Sequence, residues 1–483
     1  MTAYTKRLQK VTAVLCTTAL LAGCAAGTSD NTEPAATTAQ VKAITIEPTA
    51  VYQTMNGFGA SACWWSQEVG NWENAKDILS LLYGENSGIG LNIYRYNLGA
   101  GSKDDATITD PDRRAEAFID KDGSYHWERD AAAQNALALA KSMNEDLRVT
   151  LFSNSAPVFY TTNGKAYCDY LPDDEKYVTN LEPERYADFA KYSIACAKHF
   201  TEAGYRVTGL SPINEPEWSW RGYEDGTAKQ EGCYYSKPSA GICTRYFGAN
   251  GAGRRAKGLP AGRLGKRSHR HGHLYGIPQD HVWQKRCQLA EKQRPSQGYA
   301  HAGTPFLLGQ PGGEADLCRR HSHYLRQQLQ LALTEYCQMT EDQNSGVYDL
   351  IQKNGMDSGL GMEYGLALAG IIHQDLTVLN AVEWDWWTAC AFGGYTDGLV
   401  YLDKNSHQIE TSKRLWVLGN FSKFTDEGSV RISITLPKEL SDVQSVAFKT
   451  PTVPLPPCSS TTRIGPQHYP GAGRLHPPHH LCD

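Results

Sequence analysis

Short apolar runs that stop abruptly at polar side chains constrain this chain more than any other feature. Val207, Leu210 and Ile213 lead into Asn214 and Glu215, and Leu331 and Leu333 lead into Glu335. A buried parallel strand reads as such a run, and in a (β/α)8 barrel the residues at its C-terminal end carry the chemistry. The two glutamates are 120 positions apart, room for about three strand-helix units at roughly 30 to 40 residues each. They therefore suit the fourth and seventh strands of an α/β (β/α)8 barrel. Taken alone, Asn214-Glu215-Pro216 equally suits an ordinary strand-to-loop turn, and Glu335 a solvated glutamate.

Two carboxylates at one mouth are what glycosidic cleavage needs: one acid to protonate the leaving oxygen, and a second to attack the anomeric carbon or activate water. Five motifs sharpen this reading. They are Asn56-Gly57-Phe58-Gly59-Ala60-Ser61 with Trp64 and Trp65, Asn92 to Asn97 with Gly99 and Gly101, Asn214-Glu215-Pro216, Thr334-Glu335-Tyr336-Cys337, and Trp384-Asp385-Trp386-Trp387. In this order and spacing they resemble glycoside hydrolase family 30. That resemblance implies a retaining β-glycosidase, with a (β/α)8 TIM barrel fused to a C-terminal β-sandwich that an N-terminal strand completes.

Carried onto this sequence, the resemblance makes Glu215 the general acid/base and Glu335 the nucleophile. Asn214 would bond the sugar 2-hydroxyl, and Arg95 would stand beside Glu335 and help keep it ionised. Trp65, Trp218, Trp384, Trp386 and Tyr336 are the remaining substrate-binding candidates, with Trp387 grouped with Trp384 and Trp386 after a last barrel strand at Leu379 to Val382. Only one or two of these three tryptophans are expected to touch sugar, because indoles are more often core. In a retaining site the carboxyls stand about 5 to 5.5 Å apart, and Glu215 must start protonated. No metal and no cofactor are expected. The substrate would be a β-linked polysaccharide or oligosaccharide, β-1,6-galactan or glucan ahead of xylan. The alternative is a carbohydrate-binding protein or inactive relative without turnover.

The N-terminus reads as an exported bacterial lipoprotein. Lys6, Arg7 and Lys10 precede the apolar run Val11 to Leu21, and Leu21-Ala22-Gly23-Cys24 offers Cys24 for lipidation; an ordinary secretory signal is the other reading. Residues 1–23 are then the signal, 24–41 a tether, 42–52 the first sandwich strand, 53–424 the barrel and 425–483 the sandwich. The protein would sit at the cell membrane or surface through its lipid and act as a monomer. Thirteen cysteines show no framework spacing, so no essential disulfide is expected, and Cys63, Cys196, Cys337 and Cys390 read as buried thiols.

One segment departs from the rest. From Lys237 to Leu333 there are 16 Lys and Arg against 4 Asp and Glu, although the whole chain carries 47 against 52. It shows little periodicity where the fifth and sixth barrel strands belong. It reads as out of frame, as does the Pro- and His-rich tail from about Thr450. Metal binding at His269, His271 and His273, or attraction of nucleic acid, would not account for two missing strands, and no nucleic-acid partner is expected.

Overall fold

The computed structural model describes residues 44–172, 178–216, 218–236, 330–338, 360–393 and 395–451, together with the backbone of Thr462–Ile464. β1 (Thr45–Thr54) and β2 (Gly57–Ser61) precede a single turn, α1 (Ser66–Val69), and then α2 (Ala75–Tyr83), β3 (Ile93–Asn97), α3 (Ala131–Met143), β4 (Arg148–Phe152), α4 (Tyr186–Glu202) and β5 (Arg206–Ser211). From residue 330 onward come β6 (Ala332–Tyr336), α5 (Met362–Thr377), β7 (Glu383–Trp386), β8 (Thr388–Phe392), β9 (Gly398–Leu402), β10 (Ile409–Thr411), α6 (Lys413–Ser422), β11 (Val430–Thr435), β12 (Ala447–Lys449) and β13 (Thr462–Ile464). The signal and tether with Cys24 lie outside the described residues. So do nearly all of the two segments read as out of frame, including His269, His271 and His273.

Six strands form a parallel sheet in the order β5-β4-β3-β2-β7-β6. This is the order of an eight-stranded barrel opened between its fourth and seventh strands, and the interval falls at residues 237–329, outside the described residues. The fold is of the (β/α)8 class with an associated β-rich sheet. Helices cover the outside of the strands by helical periodicity. Ala132, Ala133, Ala136, Leu137 and Ala140 form the buried stripe of α3, and Ile78, Leu79, Leu82 and Tyr83 that of α2. These side chains, Ala132 apart, share one core with Phe58, Ala60, Tyr94, Tyr96, Val149 and Leu151 from the outer faces of β2, β3 and β4.

The inner face is polar and layered. Register sets Gly57 beside Glu383 and Gly59 beside Asp385, then Ser61 beside Arg95. At the bottom Asn56 Nδ2 donates to Glu383 (3.2 Å), with Arg148 at 3.8 Å from the same carboxylate. The glycines of the first barrel strand leave room for this. A Cβ on Gly59 would lie 2.4 Å from Asp385 Oδ1 and 2.8 Å from the Ile93 backbone oxygen, and one on Gly57, whose φ is +135°, would lie 1.9 Å from Asn92 Oδ1.

Several buried carboxyls are pushed up by desolvation, and this gives the fold a pH signature. Asp130 rises to about 7, Glu231 to about 7 and Asp397 to about 6, while Asp385, further raised by Glu383, moves well above the ordinary range. The folded state thus keeps protons that the unfolded chain releases near pH 4. Stability from these groups is complete below their unfolded pKa values and is lost as pH rises through the folded ones, between about pH 4 and 7. The melting temperature is expected to be higher at pH 5 than at pH 8, which calorimetry across that range checks; a flat or rising profile would count against it.

The C-terminal sheet is β1-β11-β12-β13, antiparallel throughout, so the N-terminal strand does pair with strands from the end of the chain. Arg431 fastens it to the barrel. Its guanidinium lies 3.7 Å over the Tyr52 ring and donates to Gln53 (2.9 Å) and Asn380 (2.9 Å), and Gln53 donates in turn to the Leu376 carbonyl (2.8 Å). The last barrel strand lies later than expected, at Glu383–Trp386 in place of Leu379 to Val382. Asn380 has φ +54°, a left-handed turn that delays extended backbone until after Val382.

Candidate active site

Three strands bring one charged cluster to the C-terminal mouth of the sheet. Arg95, from β3 and only 2% exposed, donates from Nη1 to Glu335 Oε2 at 2.7 Å and from Nη2 to Asn214 Oδ1 at 3.0 Å. One guanidinium thereby fixes both the glutamate next to the final residue of β6, Tyr336, and the asparagine that follows β5. Asn214 Nδ2 donates to Asn154 Oδ1 (3.2 Å), and Asn154 Nδ2 to Asn97 Oδ1 (3.2 Å). The other face of the Arg95 guanidinium stacks at 3.6 Å on Phe152, the last residue of β4.

Glu215 follows in the loop. Its φ is +38°, its side chain is exposed, and its carbonyl accepts from the Trp218 N–H and the Trp220 indole, each at 3.0 Å. Burial raises Glu335 above the usual carboxylate range, and Arg95, by charge and by hydrogen bond, draws it back. Arg95 thus acts in the direction the sequence suggested, but desolvation outweighs it.

Most of the aromatic candidates lie in the core and not at the mouth. Trp384 and Trp386 are wholly buried on the outer face of β7. Trp384 Nε1 donates to Asp375 (2.9 Å) and Trp386 Nε1 to the Asp397 carbonyl (2.6 Å). Tyr336, 4% exposed, packs against both at 5.3 and 5.8 Å. Trp65, 1% exposed, donates its indole N–H to the Ser61 carbonyl (3.0 Å) and packs in the main core. Side chains alternate along a strand, so with Glu383 and Asp385 inward the intervening indoles must face the helices. These four are structural. Trp218 is 43% exposed on the rim.

The aromatic group at the mouth is a different one. Trp64 and Trp387 meet edge to face at 5.4 Å and cluster with Phe152, beside Tyr395, whose hydroxyl accepts from Trp387 Nε1 at 2.6 Å. Arg113 lies 4.7 Å over Trp64 and pairs with Asp110 at 3.1 Å. The Cys63–Trp64 peptide is cis. Trp64 Nε1 and Asn97 Nδ2 are buried donors with no partner among the described residues. Strand parity was the signal for Trp387, since Glu383, Asp385 and 387 fall on one face; Asn154, Arg113 and Tyr395 come from loops with no such pattern.

The sequence pattern of O-Glycosyl hydrolase family 30 matches residues 41–252 and 317–401. The chain belongs to that family. The match takes in every strand of the described parallel sheet, and it covers part of the segment read as out of frame, leaving 253–316 unmatched. Among curated relatives, the endo-β-1,6-galactanase of Hypocrea rufa is 30% identical over 218 residues, 40% of this chain and 43% of the galactanase. The exo-β-1,6-galactobiohydrolase of Bifidobacterium longum subsp. longum is 27% identical over 242 residues, 37% of this chain and 16% of that protein. The chain thus spans less than half the length of either relative. The crystal structure of a conserved exported protein from Bacteroides fragilis superposes with a TM-score of 0.63 at 24% identity, covering 84% of this chain and 87% of that one. At that identity the likeness concerns the fold of this family 30 chain.

Proposed function

We propose that this family 30 chain is a retaining O-glycosyl hydrolase, with Glu335 as nucleophile and Glu215 as general acid/base. The observation that carries the reading is the Arg95 fork, which holds Glu335 and Asn214 together at the mouth (2.7 and 3.0 Å). Glu335 attacks the anomeric carbon while Glu215 gives its proton to the leaving oxygen. Glu215 then takes a proton from water, which releases the sugar with its configuration kept. Arg95 lowers the cost of a buried carboxylate before attack and after release. Asn214, immobilised by Arg95 and Asn154, is placed to bond the 2-hydroxyl, a contact that strengthens as the transition state forms.

The substrate we favour is a β-1,6-linked galactan, on the strength of the two β-1,6-galactan-cleaving relatives, with β-1,6-glucan and xylan as competitors. Export through the N-terminal signal, with Cys24 lipidated and the catalytic domain working as a monomer at the cell surface, completes the proposal; Lys6, Arg7 and Lys10 ahead of the apolar run Val11 to Leu21 support it. Incubation with β-1,6-galactan, β-1,6-glucan and xylan, with products followed by proton NMR, tests the reading. Release of β-anomer first from galactan is expected. Release of α-anomer first would overturn retention, and binding without product would leave a carbohydrate-binding protein.

Glu215→Gln separates the two carboxylates. The rate on the polysaccharide is expected to fall about 10²- to 10⁴-fold, whereas glycosylation by an aryl galactoside with a good leaving group needs no acid and should change far less. Equal losses on both substrates would remove Glu215 from the role. The acid limb of kcat/KM is expected above 4.5, the ordinary glutamate value, because burial raises Glu335 and the neutral form cannot attack.

A further inference from the structure

Outside the catalytic cluster, two buried cysteines lie on adjoining loops, Cys168 after β4 and Cys233 in the loop that follows Glu215. Cys168 is 5% exposed and Cys233 fully buried, and neither is bonded to another sulfur. The backbone brings them together from both sides. The Cys168 N–H donates to the Trp220 carbonyl (2.9 Å), the Gly222 N–H to the Cys168 carbonyl (2.7 Å) and the Gly232 N–H to the Ala166 carbonyl (2.8 Å). The N–H of Tyr234, the residue after Cys233, donates to Cys168 Sγ at 3.3 Å.

We propose that Cys168 and Cys233 form a disulfide when the folded chain meets a low-molecular-weight disulfide such as oxidised glutathione. Cys168 Sγ already accepts from the N–H of the residue that follows Cys233, so the two side chains lie on adjoining backbone and a bond of about 2.05 Å is within their reach. The Cys233 thiolate attacks one glutathione sulfur and expels the other as thiolate; the Cys168 thiolate then attacks the Cys233 sulfur of the mixed disulfide and expels the second glutathione. Two protein thiols are oxidised, one glutathione disulfide is reduced, and the two protons end on the two glutathiones. Cys233 is the one that ionises first. Burial acts against its charge, but hydrogen bonds from Cys168 and the nearby backbone overcome it, whereas donating to Cys233, and then burial, raise Cys168.

The bond would tie the loop after β4, which holds Cys168, to the loop after β5, which holds Cys233. Tyr235 N–H already donates to the Pro216 carbonyl at 2.9 Å, so a covalent tie at Cys233 would hold the backbone beside Glu215. The sulfur chemistry itself does not depend on Glu215 being catalytic.

The full chain, equilibrated with excess oxidised glutathione, quenched in acid, alkylated with N-ethylmaleimide and digested with trypsin, should yield peptide 166–176 joined to 230–245. Cys63, Cys196, Cys337 and Cys390 should all be alkylated. Peptide 230–245 also holds Cys243, so chymotryptic cleavage after Tyr234 or Tyr235 assigns the partner, and Cys233→Ser should abolish the cross-link. The oxidised protein should also melt at a higher temperature than the dithiothreitol-treated one. N-ethylmaleimide or glutathione on both cysteines after oxidation, or a link from Cys168 to Cys243, would overturn the proposal.

Discussion

Glu335→Gln is expected to lower kcat on β-1,6-galactan by on the order of 10⁴-fold or more, the scale seen when a covalent nucleophile is removed, while leaving the fold intact. The amide keeps an oxygen for Arg95 to bond, so the loss belongs to the chemistry. Glu335→Ala should match it in rate but also destabilise. It strands a guanidinium that is 2% exposed, and breaking a buried ion pair on one side costs about 3–5 kcal/mol. Two measurements together decide the matter: steady-state rates and denaturation midpoints for both variants. With the alanine variant, added azide should restore cleavage of an aryl galactoside and yield the glycosyl azide of inverted configuration, because azide attacks from the face the carboxylate has vacated. A Gln variant retaining a tenth of the wild-type rate would end the assignment.

Arg95→Met should be nearly as damaging, and for two separable reasons. Loss of a neighbouring positive charge lets burial act on Glu335 unopposed, so the acid limb of the rate profile is expected to move up by roughly 1–3 pH units. Loss of the second arm frees Asn214, whose grip on the substrate should weaken. Arg95→Lys distinguishes the two. A lysine ammonium restores the charge but cannot reach both partners in one plane. Its acid limb should therefore stay near wild type while kcat/KM remains depressed. If the methionine variant's profile does not move, Arg95 is not what tunes Glu335.

The barrel and its charged cluster were legible in the sequence because both follow local rules. Buried parallel strands are apolar and their ends carry the polar work, which marks Glu215 and Glu335, while the resemblance to family 30 adds Arg95 and Asn214; the structure brings Arg95, Asn214 and Glu335 together. Gly57 and Gly59 were visible as a motif, but their reason was not, since it lies in Asp385 and Asn92, side chains distant in sequence. The aromatic assignments failed on register. A strand drawn four residues early put Trp384 and Trp386 in the loop, and counting alternate positions from Glu383 would have sent them to the core and Trp387 to the mouth. Trp64 and Trp65 differ by one position, which on a turn is enough to separate rim from interior. Asn154, Arg113 and Tyr395 were not legible because loop position depends on tertiary packing and leaves no period to read. The contact between Cys168 and Cys233 joins two loops and is equally silent in spacing.

The pairing of β1 with β11 bears on how the molecule is made. β1 ends at Thr54, yet its partner arrives only at Val430–Thr435, and β2, which pairs early with β3, meets its second neighbour only at Glu383–Trp386. A chain that leaves the ribosome or a membrane channel N-terminus first therefore presents β1 to solvent, with its edge unsatisfied, until almost the whole polypeptide has followed. Loop closure over such a span is slow, and an open edge recruits strands from other molecules. The exposed, uneven face of β1, with register shifts between Glu47 and Val51 and again before Thr54, makes it a poor template during that wait. Irregularity of this kind blunts an edge against foreign strands, so straightening β1 is expected to lower the yield of folded protein.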